Sequence, residues 1–337
     1  MKIAIHHRKG SFSDRWIEYC EEKHIVYKLV NAYDSDIISQ VSDCDAFMWQ
    51  IYQGDYRDMQ FAKALVLSLE AKGIRCFPDS HTCWHFDNKV WEKYLLEAVG
   101  APLVSSYVFY TKEKALAWAE QTTFPKVFKL KGGAGASNVK LAHTRDEAKK
   151  LIKQCFDKGF SQYRWQERFK EEWHNYREGR VGLRIVLRPL FKALKTYPTE
   201  FSHYRQKEIG YAYFQDFIPN NTTDFRIKVV NGNCWGFQRL VRTGDFRASG
   251  SGKLVFDNTQ IPTSLVRKAQ DVAKRIQAQS IALDFVSDKE HDQYLVVEMS
   301  YGFGFDEREC SNGYWDKDGI FHSECFNPFA WMVEMVS

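Results

Sequence analysis

Two carboxylates stand where carboxylates are costly. Asp284 lies in the apolar run Ile281-Ala-Leu-Asp-Phe-Val286, and Glu298 in Leu295-Val-Val-Glu-Met-Ser300. An ionised acid among Ile, Leu and Val side chains needs a cation beside it. Two such strands side by side could hold one or two Mg²⁺ ions between phosphate groups. The alternative is that both acids sit at strand ends and pair with lysine or arginine.

A second constellation is basic and flexible. Lys129 ends an apolar strand, and Lys131, Gly132, Gly133, Gly135 and Ser137 follow it. Small residues let backbone N–H groups approach phosphate oxygens, while a lysine neutralises their charge. Glycine-rich hairpins are common, and this one does not match the Walker pattern G-x-x-x-x-G-K-[ST]. Further on, Gln215, Asp216, Phe217 and Ile218 form a short connection between strands, with exposed backbone polar groups suited to clamping adenine. Asp224 could then accept hydrogen bonds from ribose hydroxyls. Arg226, Arg239, Arg242 and Arg247 cluster ahead of the small-residue loop Ala248-Ser-Gly-Ser-Gly252, a combination that suits a carboxylate or a transferring phosphoryl group.

These residues need elements to position them. The first third alternates short apolar strands (Ile3 to His6, Ile25 to Val30, Ala46 to Trp49, Ile74 to Phe77) with helical patterns at Asp14 to Glu22 and Asp55 to Lys72, the second stopped by Gly73. Such alternation predicts a small parallel α/β domain over residues 1–85. It carries no G-x-G-x-x-G after its first strand, so a dinucleotide fold is not supported. Residues 86–160 read as a two-layer α+β unit with the glycine loop at a hairpin turn. Residues 161–210 read as a basic helical insertion, in which Arg180, Arg184, Arg188 and Lys192 recur every four residues and Pro189 is expected to break or restart the helix. Those bases form either a solvated face or a docking surface for an acidic substrate or an anionic membrane surface. Residues 211–337 are strand-rich, with a helix at Pro262 to Ala278.

Composition bounds the rest. The chain has 337 residues, 44% hydrophobic and 15% aromatic, enough for two or three compact units. Its net charge of +4 is too small for a bulk nucleic-acid binder, so anion recognition has to be local. No signal-peptide pattern and no apolar stretch of bilayer length are visible. The eight cysteines include no C-x-x-C pair and no zinc-ligand spacing, which suits buried thiols in a reducing, cytoplasmic setting. The oligomeric state has no signature.

Lysine, glycine loop, hinge, arginine-bearing strands, then Asp and Glu on late strands: in this order the sequence resembles the ATP-grasp superfamily from about Asp87 to the C-terminus. The resemblance implies an α/β N-terminal domain followed by an α+β ATP-grasp fold, two lobes clamping the nucleotide, with ATP and Mg²⁺ as cofactors. Lys89, in Phe86-Asp-Asn-Lys-Val, looks like the first nucleotide-phosphate lysine and Lys129 like the second. Gln215 to Ile218 look like the adenine hinge, Asp224 like the ribose acid, and Asp284 and Glu298 like the magnesium carboxylates. The tail Val297-Glu-Met-Ser-Tyr-Gly-Phe-Gly-Phe305, with Gly313-Tyr-Trp-Asp316 beyond it, is similar to ATP-grasp proteins associated with bacterial surface-polysaccharide gene clusters.

Two positions depart from the pattern. Ser300 stands where the family usually has Asn as a further metal ligand, and Ala282 stands where the D-alanine–D-alanine ligase branch has arginine. The transition-state cation is then left to Arg239 or Arg242. What the resemblance implies is an ATP-dependent ligase: a small-molecule or glycan-linked carboxylate is activated as an acyl phosphate and captured by an amine, with backbone N–H groups at Gly302 and Gly304 available to the oxyanion. A kinase-like or carbamoyl-phosphate-type reaction, or a non-catalytic nucleotide-binding scaffold, uses the same cradle.

Overall fold

The computed structural model describes residues 1–133, 138–161, 169, 172, 173, 176, 182–193, 207–241, 246–248 and 252–337. Gly135, Ser137, Arg180 and Arg242 lie outside the described residues, as does most of the basic segment. The chain divides into two compact units. Unit 1 comprises residues 1–53, 57–104 and 218–337; unit 2 comprises residues 54–56 and 105–217.

The N-terminal part of unit 1 runs β1 Lys2–His6, α1 Phe12–Glu22, β2 Val26–Val30, α2 Ile37–Gln40, β3 Ala46–Trp49, α3 Tyr56–Ala71, β4 Arg75–Phe77, α4 Ser80–Cys83 and α5 Lys89–Ala98. Its four strands are all parallel, in the order β2-β1-β3-β4. Ile3, Ala4 and Ile5, and likewise Phe47 and Met48, have no exposed surface, the pattern of strands covered on both faces. Helix α5 groups with this unit and not with the glycine-loop strands, because Leu96 joins its core and Leu103 bridges to Val296.

Unit 2 contains β5 Ser106–Phe109, α6 Lys112–Gln121, β6 Lys126–Lys129, β7 Val139–Ala142, α7 Arg145–Asp157, α8 Leu183–Ala193 and β8 Ala212–Asp216. Its antiparallel sheet has the order β5-β8-β6-β7. Phe128, Leu130, Ala212 and Phe214 on one face pack with Ala115, Ala119, Ala148 and Ile152 of the helices. Helix α8 runs through Pro189 instead of restarting there. Val186 and Pro189, three residues apart, are both buried, so packing holds the turn that the missing N–H weakens. Arg184 and Arg188 are exposed.

The chain then returns to unit 1 with β9 Thr223–Val230, β10 Asn233–Leu240, β11 Leu254–Val255, α9 Thr263–Arg275, β12 Ser280–Asp288, β13 Gln293–Ser300, β14 Tyr314–Trp315, β15 Phe321–His322 and α10 Pro328–Glu334. These strands form one seven-stranded sheet, β13-β12-β9-β10-β14-β15 with β11 beside β10. One face carries Phe225, Ile227, Val229, Leu283 and Phe285 and shares a core with Leu265, Val266, Ala269 and Val272 of α9. Each such buried aliphatic or aromatic side chain contributes roughly 1.5–3 kcal/mol. Among the described residues no helix is long and apolar enough to cross a membrane.

Candidate functional site

Strand β9 alternates strictly: Asp224, Arg226 and Lys228 interleave with Phe225, Ile227 and Val229. Side chains in a strand point to opposite faces with period two, so burying the apolar set under α9 sends all three charges to the other face. Cross-strand registry adds to that face. Arg239 lies opposite Asp224, Asp284 opposite Arg226, and Glu298 opposite Asp284. A register shift follows Asp284, where Phe285 pairs with Val296 and leaves Val297 as an extra residue beside Glu298. Bulges of this kind re-aim a neighbouring side chain.

Asp284 sits in mid-strand, not at an end, and it does meet arginine. Arg226 donates from Nε to Oδ1 and from Nη2 to Oδ2, each at 2.8 Å, and Arg239 Nη2 lies 2.8 Å from Oδ2. Arg239 also grips Asp224, Nε to Oδ1 at 2.7 Å and Nη2 to Oδ2 at 2.5 Å. Burial alone would raise the Asp284 pKa, but the two guanidinium charges outweigh it and hold the acid well below the usual range. Asp224 goes the other way. Burial first, then the neighbouring Asp284 charge, push it up to about 6 despite Arg239.

Lys89 opens α5 directly after its cap, Asn88, whose Oδ1 accepts the Val90 and Trp91 N–H groups at 3.2 Å. Its Nζ lies 3.1 Å from Glu298 Oε1, and the lysine is buried. One turn on, Glu92 is buried as well and accepts the Met299 N–H at 3.4 Å. Burial opposes charge on Lys89, yet Glu298 and Glu92 together raise its pKa and keep it protonated. Burial pushes Glu92 itself up to about 8, with Lys89 pulling against it and Glu298 adding to the rise. Ser300 follows Glu298 on the same face of β13, paired with Ala282.

The same face holds a pair that the sequence reading above does not include. Lys228 is fully buried and donates to Glu309 Oε1 and Oε2 at 2.7 and 2.6 Å and to the Gly304 carbonyl at 2.7 Å. Trp235 Nε1 donates to the same carboxylate at 2.7 Å. The ammonium lies within 6 Å of the rings of Trp235, Phe237, Phe303 and Phe305. Strand alternation from Asp224 would have found Lys228; Glu309, in a 3₁₀ turn, has no periodic signal. Gly302, nearby, packs closely: a Cβ there would lie 3.0 Å from the Phe86 ring, which would have to shift by a few tenths of an ångström.

Unit 2 carries its own set. Lys129, buried at the end of β6, donates to Gln215 Oε1 at 2.6 Å, and Gln215 Nε2 donates to Ser106 Oγ at 3.0 Å. Lys126, also outside the sequence reading, donates to Asp216 Oδ1 at 2.5 Å. Gln215 and Asp216 therefore point to opposite faces of β8. Lys131 pairs with the buried Glu208 at 3.3 Å, and its backbone N–H donates to the Tyr211 hydroxyl at 2.8 Å. Gly132 and Gly133 follow, the latter with φ +110°, a value open to glycine alone. Phe217 ends unit 2 and Ile218 begins the return to unit 1, so the unit boundary falls inside the expected hinge. Arg247 lies in the described stretch 246–248, apart from the strands.

Chemically, the face of the seven-stranded sheet interleaves cations with carboxylate oxygens, each paired with a neighbour. Among the described residues no three His, Cys, Asp or Glu side chains gather to hold an ion unaided.

No protein-family model matches the chain, and no curated protein matches its sequence. Solved structures do match in fold. A RimK domain ATP-grasp protein from Sphaerobacter thermophilus has a TM-score of 0.58 at 13% identity, covering 100% of this chain and 99% of its own. A biotin carboxylase from Campylobacter jejuni, in a β,γ-ATP complex, has a TM-score of 0.59 at 14% identity over 99% of this chain and 70% of its own. A D-alanine–D-alanine ligase from Bacillus anthracis, complexed with ATP, has a TM-score of 0.56 at 10% identity over 100% and 96%. At these identities the likeness is one of fold: the chain has the ATP-grasp fold.

Proposed function

We propose that this chain is an ATP-dependent carboxylate–amine ligase that works through an acyl phosphate and releases ADP. The observation that carries the reading is Asp284 directly opposite Glu298 on one sheet face, flanked by Arg226 and Arg239 and reached by Lys89. Fold neighbours that include an ATP complex and a MgADP complex support it.

The donor set fits Mg²⁺. Two carboxylates on adjacent strands offer hard oxygens, and Asp284 is held ionised. With no metal-holding group of three such side chains among the described residues, the remaining oxygen ligands would come from nucleotide phosphates and water, as is usual for this ion. Asp284, Glu298 and the Ser300 hydroxyl are the residues that would hold it, and the ion would supply charge neutralisation on the transferring phosphoryl group. Lys89, Lys129, Lys131 and Gly132 to Gly133 are the residues that would neutralise and cradle the phosphates. Gln215 to Ile218 would take adenine and Asp224 the ribose. Arg226 and Arg239 are the cations that would steady the charge developing on the activated carboxylate, with Arg242 and Arg247 as further candidates. The substrates are a small-molecule or glycan-linked carboxylate and an amine, in surface-polysaccharide or glycan modification, in the cytoplasm.

A non-catalytic nucleotide-binding scaffold is the second reading, because both Asp284 oxygens are already taken by guanidinium groups. Acids, beginning with uronic and amino acids, screened against amines for ADP release separate the two. Hydroxylamine should trap the acyl phosphate as a hydroxamate. ATP binding without turnover of any pair would favour the scaffold, and ADP release without hydroxamate would favour a kinase-like reaction.

A further inference from the structure

Six of the eight cysteines are buried; Cys310 is half-buried and Cys325 exposed. Those two meet. Their Sγ atoms are 2.8 Å apart, closer than unbonded sulfurs ordinarily pack and less than an ångström beyond a disulfide bond of about 2.05 Å. The geometry points to Cys310 and Cys325 as an oxidisable dithiol, a modification site for low-molecular-weight disulfides such as glutathione disulfide.

Exposure orders the steps. The Cys325 thiolate attacks one sulfur of glutathione disulfide, its proton passing to solvent, and glutathione thiolate leaves. The Cys310 sulfur then attacks Cys325 Sγ, the Cys310–Cys325 bond forms, and the second glutathione leaves as thiol. Two protein thiols are oxidised and one glutathione disulfide is reduced to two thiols. Cys310 suits the second role. Burial and the adjacent Cys325 raise its pKa to about 11, and its S–H points to the Glu307 carbonyl at 3.1 Å, so it is a poor first nucleophile.

The bridge would close the base of the β14–β15 hairpin. Cys310 also follows Glu309, whose carboxylate holds Lys228 and, through the capping box, the Asp306 N–H. Oxidation would therefore clasp the turn that supports the charged sheet face, whatever reaction that face performs.

The full chain, incubated over a series of glutathione to glutathione disulfide ratios, should reach a state with two fewer than its eight free thiols. Peptide mapping should find Cys310 joined to Cys325, and amide exchange across residues 313–324 should slow. Cys310→Ser should instead trap glutathione stably on Cys325. A native chain that keeps both thiols free at oxidising ratios, that retains glutathione on Cys325, or that joins either cysteine elsewhere overturns the assignment. The readout needs no ATP turnover, so it fails or holds apart from the ligase reading.

Discussion

Arg226 and Asp284, neighbours across β9 and β12, meet side-on through two parallel hydrogen bonds of 2.8 Å, with Arg239 closing on the same carboxylate. Asp284 is thus a structural counter-ion as well as a candidate metal ligand, whereas Glu298, more exposed, has Lys89 beside it. The two acids should therefore answer differently to neutralisation. Glu298→Gln is expected to keep the fold and lower ADP formation by roughly 10²-fold or more, the scale of losing a group that stabilises transition-state charge. Asp284→Asn should lose both activity and about 1–3 kcal/mol of stability, since Arg226 loses its bidentate charged partner while Arg239 keeps Asp224. Denaturant titration alongside ADP release checks both; an active Glu298→Gln enzyme removes the metal assignment.

The buried pair of Lys228 and Glu309 yields a stability prediction. Lys228→Met or Glu309→Gln alone strands one buried charge and should cost about 3–5 kcal/mol. The double variant strands none, keeps an acceptor for Trp235, and should recover most of that loss. A double variant as unstable as the two singles added would show the pair to be uncoupled.

Glu92 makes the fold sensitive to pH. Its folded pKa, about 8, lies above the ordinary carboxylate value, so the folded state binds more protons between roughly pH 4.3 and 8. Its contribution is fully present below that window and is lost as pH rises through it. Stability of the native chain should fall between pH 5 and 8 relative to Glu92→Gln, measured by urea denaturation. Parallel profiles for the two proteins would mean that Glu92 does not titrate in this window.

Lys129 ends β6 beside the glycine loop, and its Nζ has a side-chain oxygen as neighbour. Lys129→Ala should weaken ATP and ADP by about 10- to 100-fold, the equivalent of one charged hydrogen bond of roughly 1.5–3 kcal/mol, and leave adenosine nearly unchanged. Equal loss for all three ligands, measured by calorimetry, would point to a disturbed loop.

Much of this is legible in the sequence because it obeys a period. Asp224-Phe-Arg-Ile-Lys-Val229 announces a two-faced strand, Asn88 before an apolar helix announces a cap, and acids in valine-rich runs announce unusual partners. Partnership itself carries no such signal. Lys228 reaches Glu309 across 81 positions and Lys126 reaches Asp216 across 90, joined only once strands register. Pro189 misleads for a related reason: local propensity disfavours a helix that burial of Val186 and Pro189 sustains. The approach of Cys310 to Cys325, likewise, depends on a hairpin folding back and not on their spacing.

The chain leaves unit 1 after Val104 and re-enters it at Ile218. One core of unit 1 joins Phe47, Val66 and Leu96 to Phe225, Leu265 and Phe285, residues synthesised more than a hundred positions later. On a ribosome the N-terminal parallel sheet must therefore wait with part of its apolar surface uncovered, while residues 105–217, nearly self-contained, can collapse first. Domains folding as units in order of emergence would put the middle of this chain ahead of both ends. Long-range pairing of this kind is slow, so nascent chains stalled before residue 218 should be the ones that engage chaperones and aggregate.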